Sequence, residues 1–245
     1  MLAYFDKLYR GSAESFYKAN RRLLEAGEPR FIVTANPETF MTAQKNADFD
    51  RVLRRETTTI VADGIGVVKA AKFLDMPVEE KVTGVEIAAH LLEDAGELGK
   101  SIYFYGAKEE VLLQLVQKVK NDYPGASVAG ARNGYDFTDE EVFQDIAKKQ
   151  PDVVMVALGI PRQELLIDRY FGEFHSGIFI GVGGSFDVLS GTKKRAPEFF
   201  VRLNLEWLYR ITREPKRLKR FFNSNVRFLF DIRRIKKQME KNHAD

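Results

Sequence analysis

The run Thr59-Ile60-Val61-Ala62-Asp63-Gly64-Ile65-Gly66-Val67-Val68 joins a β-branched apolar segment to glycines and then to more apolar residues. Such a pattern reads as a buried strand that turns into a helix. One carboxylate, Asp63, stands at the turn. Open α/β sheets place their ligands at the carboxyl ends of strands, and a charge set there is unfavourable unless something uses it.

Outward from this run, short apolar stretches recur with helical patterns between them. They are Phe31-Ile32-Val33-Thr34, Ser101-Ile102-Tyr103-Phe104-Tyr105, Ala126-Ser127-Val128-Ala129, the run from Asp152 to Leu158, and the run from Gly177 to Val182. The alternation predicts an α/β fold with a mostly parallel sheet of about six strands. Helix starts are marked at Asn36-Pro37-Glu38 by an N-cap and a first-turn proline, and at Thr138-Asp139-Glu140-Glu141 by a capping box.

After Gly191 the strand signals stop. From Ala196-Pro197 onward the pattern predicts two or three helices, the last beginning near Glu214-Pro215. That helix carries Leu218, Phe221, Phe222, Val226, Leu229 and Ile232 at helical spacing among Arg and Lys, the mark of a basic amphipathic element. It can pack on its own domain, meet a membrane surface, or do both at once. The division expected is a catalytic domain over 1–192 and a helical appendage over 193–245.

Charge supports that division. The net charge of +3 conceals sixteen Lys and Arg against six Asp and Glu from residue 193 onward, so the rest of the chain is net negative. A basic tail implies an anionic partner. With no cysteine in 245 residues, a thiol nucleophile, a zinc–thiolate site and a disulfide framework are all excluded, and a reducing cytoplasm is the expected setting. The N-terminus lacks the pattern of a signal peptide, and no stretch approaches the roughly 18 apolar residues of a spanning helix. A soluble protein is expected.

Four loops follow expected strands and should converge on one sheet edge: Thr34-Ala35-Asn36-Pro37-Glu38, Asp63-Gly64-Ile65-Gly66, Gly159-Ile160-Pro161-Arg162-Gln163-Glu164, and the run from Gly181 through Gly183, Gly184 and Ser185 to Asp187. Polar side chains and bare amides at helix starts suit anions and sugar hydroxyls. Each has a plainer account as well, with Asn36 and Ser185 as helix caps and Asp63 as the cap of the helix after Gly64. Together they favour a nucleotide-sugar or dinucleotide site.

The dinucleotide account fails on spacing. The run at Gly181 lacks the third glycine of G-x-G-x-x-G and an acidic residue about twenty positions on, and the run at Asp63 fails similarly. No Walker lysine loop is present. Asp48-Phe49-Asp50 has the letters of a metal-binding Asp-x-Asp but sits before Arg51-Val52-Leu53-Arg54-Arg55, where a solvated helix start accounts for it. A diphosphate leaving without a metal needs cations and amide dipoles, and the tail supplies cations.

Taken in order, the loops resemble the WecG/TagA/CpsF family of bacterial glycosyltransferases over nearly the whole chain. The motifs that carry the resemblance are Thr34-Ala35-Asn36-Pro37-Glu38, the run from Ala62 to Val68, Val82-Thr83-Gly84, Tyr103-Phe104-Tyr105-Gly106, Pro161-Arg162-Gln163-Glu164, the run from Gly181 to Asp187 with Ser190-Gly191, and Arg195-Ala196-Pro197 leading to Glu206-Trp207-Leu208-Tyr209-Arg210. The resemblance implies a Rossmann-like catalytic domain, an inverting metal-independent reaction without cofactor, and an appendage that helps complete the site at the membrane. Its most similar members move N-acetylmannosamine from UDP to N-acetylglucosamine on undecaprenyl diphosphate in a β-1,4 bond, the committed step of the wall teichoic acid linkage unit.

Roles follow by motif. Asp63 matches the general base, Thr34 and Asn36 match positions that hold the sugar, Gln163 matches one beside the donor, and Arg210, Arg217 and Arg220 match arginines that reach the diphosphate, where a guanidinium pairs with phosphate oxygens. Lys81 stands where members often carry arginine, keeping the charge and losing the fork. The nucleotide is assigned to Tyr105, Gly106, Arg162, Gly183, Gly184 and Ser185. Expected partners are a UDP-sugar donor, an undecaprenyl-diphosphate-linked acceptor and an anionic membrane surface on the cytoplasmic side. Nucleic acid is not expected, because apolar residues on the tail's face suit lipid rather than phosphate contacts. The same face gives the protein a reason to form homo-oligomers when no membrane is present. Other UDP-sugar donors in the family, or a non-catalytic binding role for the tail, are the alternatives.

Overall fold

The computed structural model describes residues 1–215 and 217–242, without the side chains of Arg217 and Arg220. All six expected strands form: β1 (Arg30–Ala35), β2 (Thr58–Ala62), β3 (Ser101–Gly106), β4 (Ser127–Arg132), β5 (Val153–Ala157) and β6 (Ile178–Gly181). They pair in the order β2-β1-β6-β5-β3-β4, and every pairing is parallel. The architecture is Rossmann-like α/β. Because the strands are parallel, the loops that leave their carboxyl ends open on one edge.

Side-chain alternation explains why both faces are covered. Phe31, Val33 and Ala35 of β1 enter one apolar layer while Ile32 enters the other, and Val154 and Val156 oppose Val153 and Met155 in the same way. A sheet buried on both sides requires such near-continuous apolar strands. At the sheet's edge, β4 is the exception, with every residue at least partly exposed.

The expected caps are present. Asn36 accepts a hydrogen bond from the Thr39 amide at 3.1 Å and begins the helix Pro37–Ala43, and Thr138 with Glu141 closes a reciprocal box at the helix Asp139–Lys149. Asp48 and Asp50 lie in the first turn of the helix Ala47–Arg54, where they pair with Arg51 and Arg54 at 2.6 and 2.8 Å.

Beyond β6 the chain forms the short helix Ser185–Leu189 and then three helices, Glu198–Arg202, Glu206–Arg213 and Arg217–Asn242. The last is split along its length. Phe228 and Ile232 are buried, with Phe228 against Phe5 and Phe40 at ring distances of 6.4 and 6.2 Å, and Lys236 pairs with Asp75. Leu218, Phe222, Val226, Leu229 and Phe230 are exposed. The helix therefore packs one face, through Phe228 and Ile232, on the core and presents an exposed apolar face from Leu218 to Phe230. Among the described residues no helix is long and apolar enough to cross a membrane.

Candidate active site

Register in the sheet brings the first two loops together. Thr34 pairs with Val61 and Ala35 with Ala62, and the Asp63 amide donates to the Ala35 carbonyl at 2.8 Å. Asn36 and Asp63 thus leave adjacent strands side by side. Gly64, at φ +112°, then turns the chain into the helix Ile65–Phe73 and is itself the N-cap, with no side chain bonded to the first turn. A residue with a Cβ is strained at that φ. The cap account of Asp63 is set aside: neither a hydrogen bond nor an ion pair reaches its carboxylate from the described residues.

The next segment closes over this pair. Val82 donates its amide to the Ala62 carbonyl at 2.9 Å, which sets Lys81 and Thr83 beside the end of β2. Thr83 caps the helix Gly84–Leu98, which starts so close to β1 that a Cβ on Gly84 would lie 3.3 Å from the Thr34 methyl.

Two groups absent from the expected set emerge here. Glu86, in that helix's first turn, accepts from the Thr83 hydroxyl at 2.7 Å and from Arg195 of the appendage at 2.6 Å. Burial works against its ionisation, but the bonds from Arg195 and Thr83 and the Lys81 charge outweigh it, holding the carboxyl below its usual range. The Arg195 Nε is buried with no partner. Thr83-Gly84-Val85-Glu86 carries a capping pattern in sequence, yet nothing local indicates that Glu86 meets a residue 109 positions later.

Charges on the helix Glu206–Arg213 also act on Asp63. Burial pushes the Asp63 carboxyl up to about 6; Arg210 and Lys81 pull it down, while Glu206 and Glu86 push it further up. Arg210 lies half-exposed on the helix Glu206–Arg213 and bonds Glu206 at 2.5 Å. Lys193 ties Glu214 at the end of that helix to Asp187 after β6, at 3.0 and 3.5 Å. The structure thus brings Asp63, Thr34, Asn36, Lys81 and Arg210 to one place. The side chains of Arg217 and Arg220 lie outside the described residues.

The remaining expected residues occupy the neighbouring loops. Gln163 is buried: its Oε1 accepts from the Gly159 and Gly183 amides at 3.0 and 3.2 Å, and its Nε2 donates to Glu164 at 2.7 Å. Tyr105 is buried, its hydroxyl on Asp139 at 2.5 Å, and Asp139 in turn pairs with Arg162 at 2.6 Å. Gly106 ends β3 at φ +114°, and Gly184 rather than Ser185 caps the short helix, so Ser185 is no cap. Gly183, Gly184 and Ser185 leave accessible backbone and a hydroxyl beside β6. Among the described residues no cluster of three or more His, Asp or Glu is placed to hold a metal ion.

A partly accessible, unbonded carboxylate, with cations from a lysine loop and from a separate helical segment, can take a proton from a hydroxyl and balance charge on a leaving anion. Comparison with known proteins agrees. A sequence profile described as the glycosyl transferase WecG/TagA/CpsF family matches residues 7–242. A protein of Bacillus spizizenii named N-acetylglucosaminyldiphosphoundecaprenol N-acetyl-beta-D-mannosaminyltransferase is 41% identical over 200 residues, covering 82% of this chain and 77% of that one. Proteins of the same name from Bacillus subtilis and Staphylococcus aureus are 41% identical over 192 residues and 35% over 211. The first of these covers 78% of this chain and 75% of its own, the second 86% and 82%.

Proposed function

The chain belongs to the WecG/TagA/CpsF family of glycosyl transferases, and from that premise we propose that it moves N-acetylmannosamine from UDP to N-acetylglucosamine on undecaprenyl diphosphate. The bond formed is β-1,4 and the reaction inverts the anomeric carbon, the committed step of the linkage unit of wall teichoic acid. The names of its relatives support the substrates. The observation that carries the chemistry is the Asp63 carboxylate at the end of β2, raised by burial to about 6, with no bond from the described residues and with the Arg210 charge near enough to pull it down.

In this mechanism the acceptor's 4-hydroxyl attacks the anomeric carbon while Asp63 takes its proton. The bond from that carbon to the UDP oxygen breaks, and its electron pair leaves on the diphosphate. Arg210, Arg217, Arg220 and Lys81 balance the new charge, guanidinium and ammonium being suited to phosphate oxygens. Thr34 and Asn36 hold sugar hydroxyls. Gly183, Gly184 and Ser185 with Arg162 hold the nucleotide, while Tyr105 and Gly106, buried at the end of β3, support it from beneath, Tyr105 through Asp139, which pairs with Arg162.

Residues 193–245 act as the appendage that completes this site at the inner face of the cytoplasmic membrane. Nine of the thirteen exposed large apolar residues lie in this segment, interleaved with Arg and Lys, which suits an anionic bilayer. Each basic residue near such a surface contributes about 1 kcal/mol of attraction, less under salt. The test is incubation with UDP-N-acetylmannosamine and a lipid-diphosphate N-acetylglucosamine acceptor. Acceptor-dependent UDP release is expected; none refutes the proposal.

A further inference from the structure

Beneath the loops after β5 and β6 lies a pair of side chains whose role is not exhausted by packing. Glu164 is fully buried in the first turn of the helix Arg162–Phe171, and Gln163 beside it is 3% exposed. The Gly159 and Gly183 amides both point at one Gln163 atom, so that atom is the oxygen, since two donors cannot face an NH2 group. The amide nitrogen is thereby turned to Glu164, whose Oε1 accepts it at 2.7 Å. The strand above lies flat on this pair. A Cβ on Gly181 would come within 2.5 Å of Gln163 Nε2 and 2.9 Å of Glu164 Oε1, so any larger residue there would push the Gln163 or Glu164 side chain out of this arrangement.

We propose that Glu164 is a positioning residue for the donor nucleotide. It fixes the Gln163 amide in the orientation that gathers the loops after β5 and β6 into one floor. This rests on the placement of the nucleotide over Gly183 and Gly184 given above. No cation is bonded to Glu164 among the described residues, and its Oε2 has no partner. Burial pushes the carboxyl up to about 7, against the pull of Gln163 and of a backbone amide. A neutral acid still accepts from Gln163 through its carbonyl oxygen, in a weaker bond than an ionised one makes, and avoids an uncompensated buried charge. Glutamine therefore replaces Glu164 faithfully, whereas leucine keeps the bulk and removes the acceptor.

Amide hydrogen exchange at Gly159 and Gly183 in the ligand-free protein reads the clamp without any substrate. Glu164→Leu should speed exchange at both amides by about tenfold, the scale of one lost hydrogen bond, while Glu164→Gln leaves them near wild type. UDP binding by calorimetry should weaken in Glu164→Leu and hold in Glu164→Gln. Unchanged exchange in a folded Glu164→Leu protein overturns the proposal, as does equal damage in both variants. Should the leucine variant not fold, Glu164→Met, which keeps an unbranched chain of similar length without the acceptor, takes its place: exchange at the two glycines should again exceed that of Glu164→Gln. Equal exchange in Glu164→Met and Glu164→Gln overturns the clamp. Wild-type protein that binds no UDP, with exchange as predicted, removes the nucleotide reading and leaves the clamp standing.

Discussion

Replacing Phe228 by alanine tests whether the last helix shares the core's packing. The ring is 1% exposed and lies against Phe5 and Phe40, which belong to the N-terminal helix and to the helix that follows β1. Deleting a buried phenyl ring removes its transfer energy and leaves a cavity, together about 3–5 kcal/mol. The helix lies outside the sheet layers, where neighbours can settle inward, so about 3 kcal/mol is expected. For a chain of this size that lowers the melting temperature by roughly 6–12 °C. Leu229, one residue on and 56% exposed, supplies the control. Leu229→Ala should melt within about 2 °C of wild type, because surface truncations away from special features are nearly neutral, yet it should reduce flotation with anionic liposomes. Thermal melts followed by circular dichroism, paired with flotation, give both readings. A Phe228→Ala protein that melts like wild type, or a Leu229→Ala protein that melts as low as Phe228→Ala, refutes the division of the helix into a packed face and an exposed face.

Four further outcomes are expected. Asp63→Asn should lose turnover while still binding UDP in calorimetry, and full turnover would remove Asp63 as the base. The same substitution bears on stability: a folded pKa near 6, above the unfolded value of about 3.9, means the stabilising protonated form is complete below about 3.9 and lost as pH rises through 6. Asp63→Asn should therefore melt above wild type at pH 8 and level with it at pH 4, and a lower melt at pH 8 would contradict the burial argument. In wild type, kcat/KM should fall below pH 6 as Asp63 protonates, and Arg210→Gln should move that fall to higher pH because Arg210 lowers the Asp63 pKa; a shift to lower pH counts against the pairing. Arg195→Ala should lower activity severalfold by leaving Glu86 without its bonded cation, whereas Arg202→Ala, which touches only the exposed Glu198, should leave it unchanged; equal effects would show that Arg195 has no special place.

The strands were legible because burial on both faces of a parallel sheet demands unbroken apolar runs, and the caps at Asn36 and Thr138 because their bonds are local. Asp63 was legible for the opposite reason, as a charge inside such a run. The sequence by itself also bounded the chemistry through the absence of cysteine and the displaced basic charge.

Tertiary structure decided what local pattern cannot hold. Gly64 takes over the cap and leaves Asp63 unbonded, a matter of one positive φ. Glu86 meets Arg195 only because the chain after β6 folds back on the helix Gly84–Leu98, and the Asp63 carboxyl is raised first by burial and then adjusted by Arg210, Glu206, Glu86 and Lys81 from three separate segments. Gln163, which the sequence places beside the donor, gives its oxygen to two glycine amides from different loops, a contact no local pattern shows. The last helix showed one apolar stripe in sequence, and only its packing reveals that Phe228 and Ile232 face the core while Leu218, Phe222 and Leu229 stay outside. A stripe specifies that a face is to be covered; the partner that covers it is fixed by distant parts of the chain.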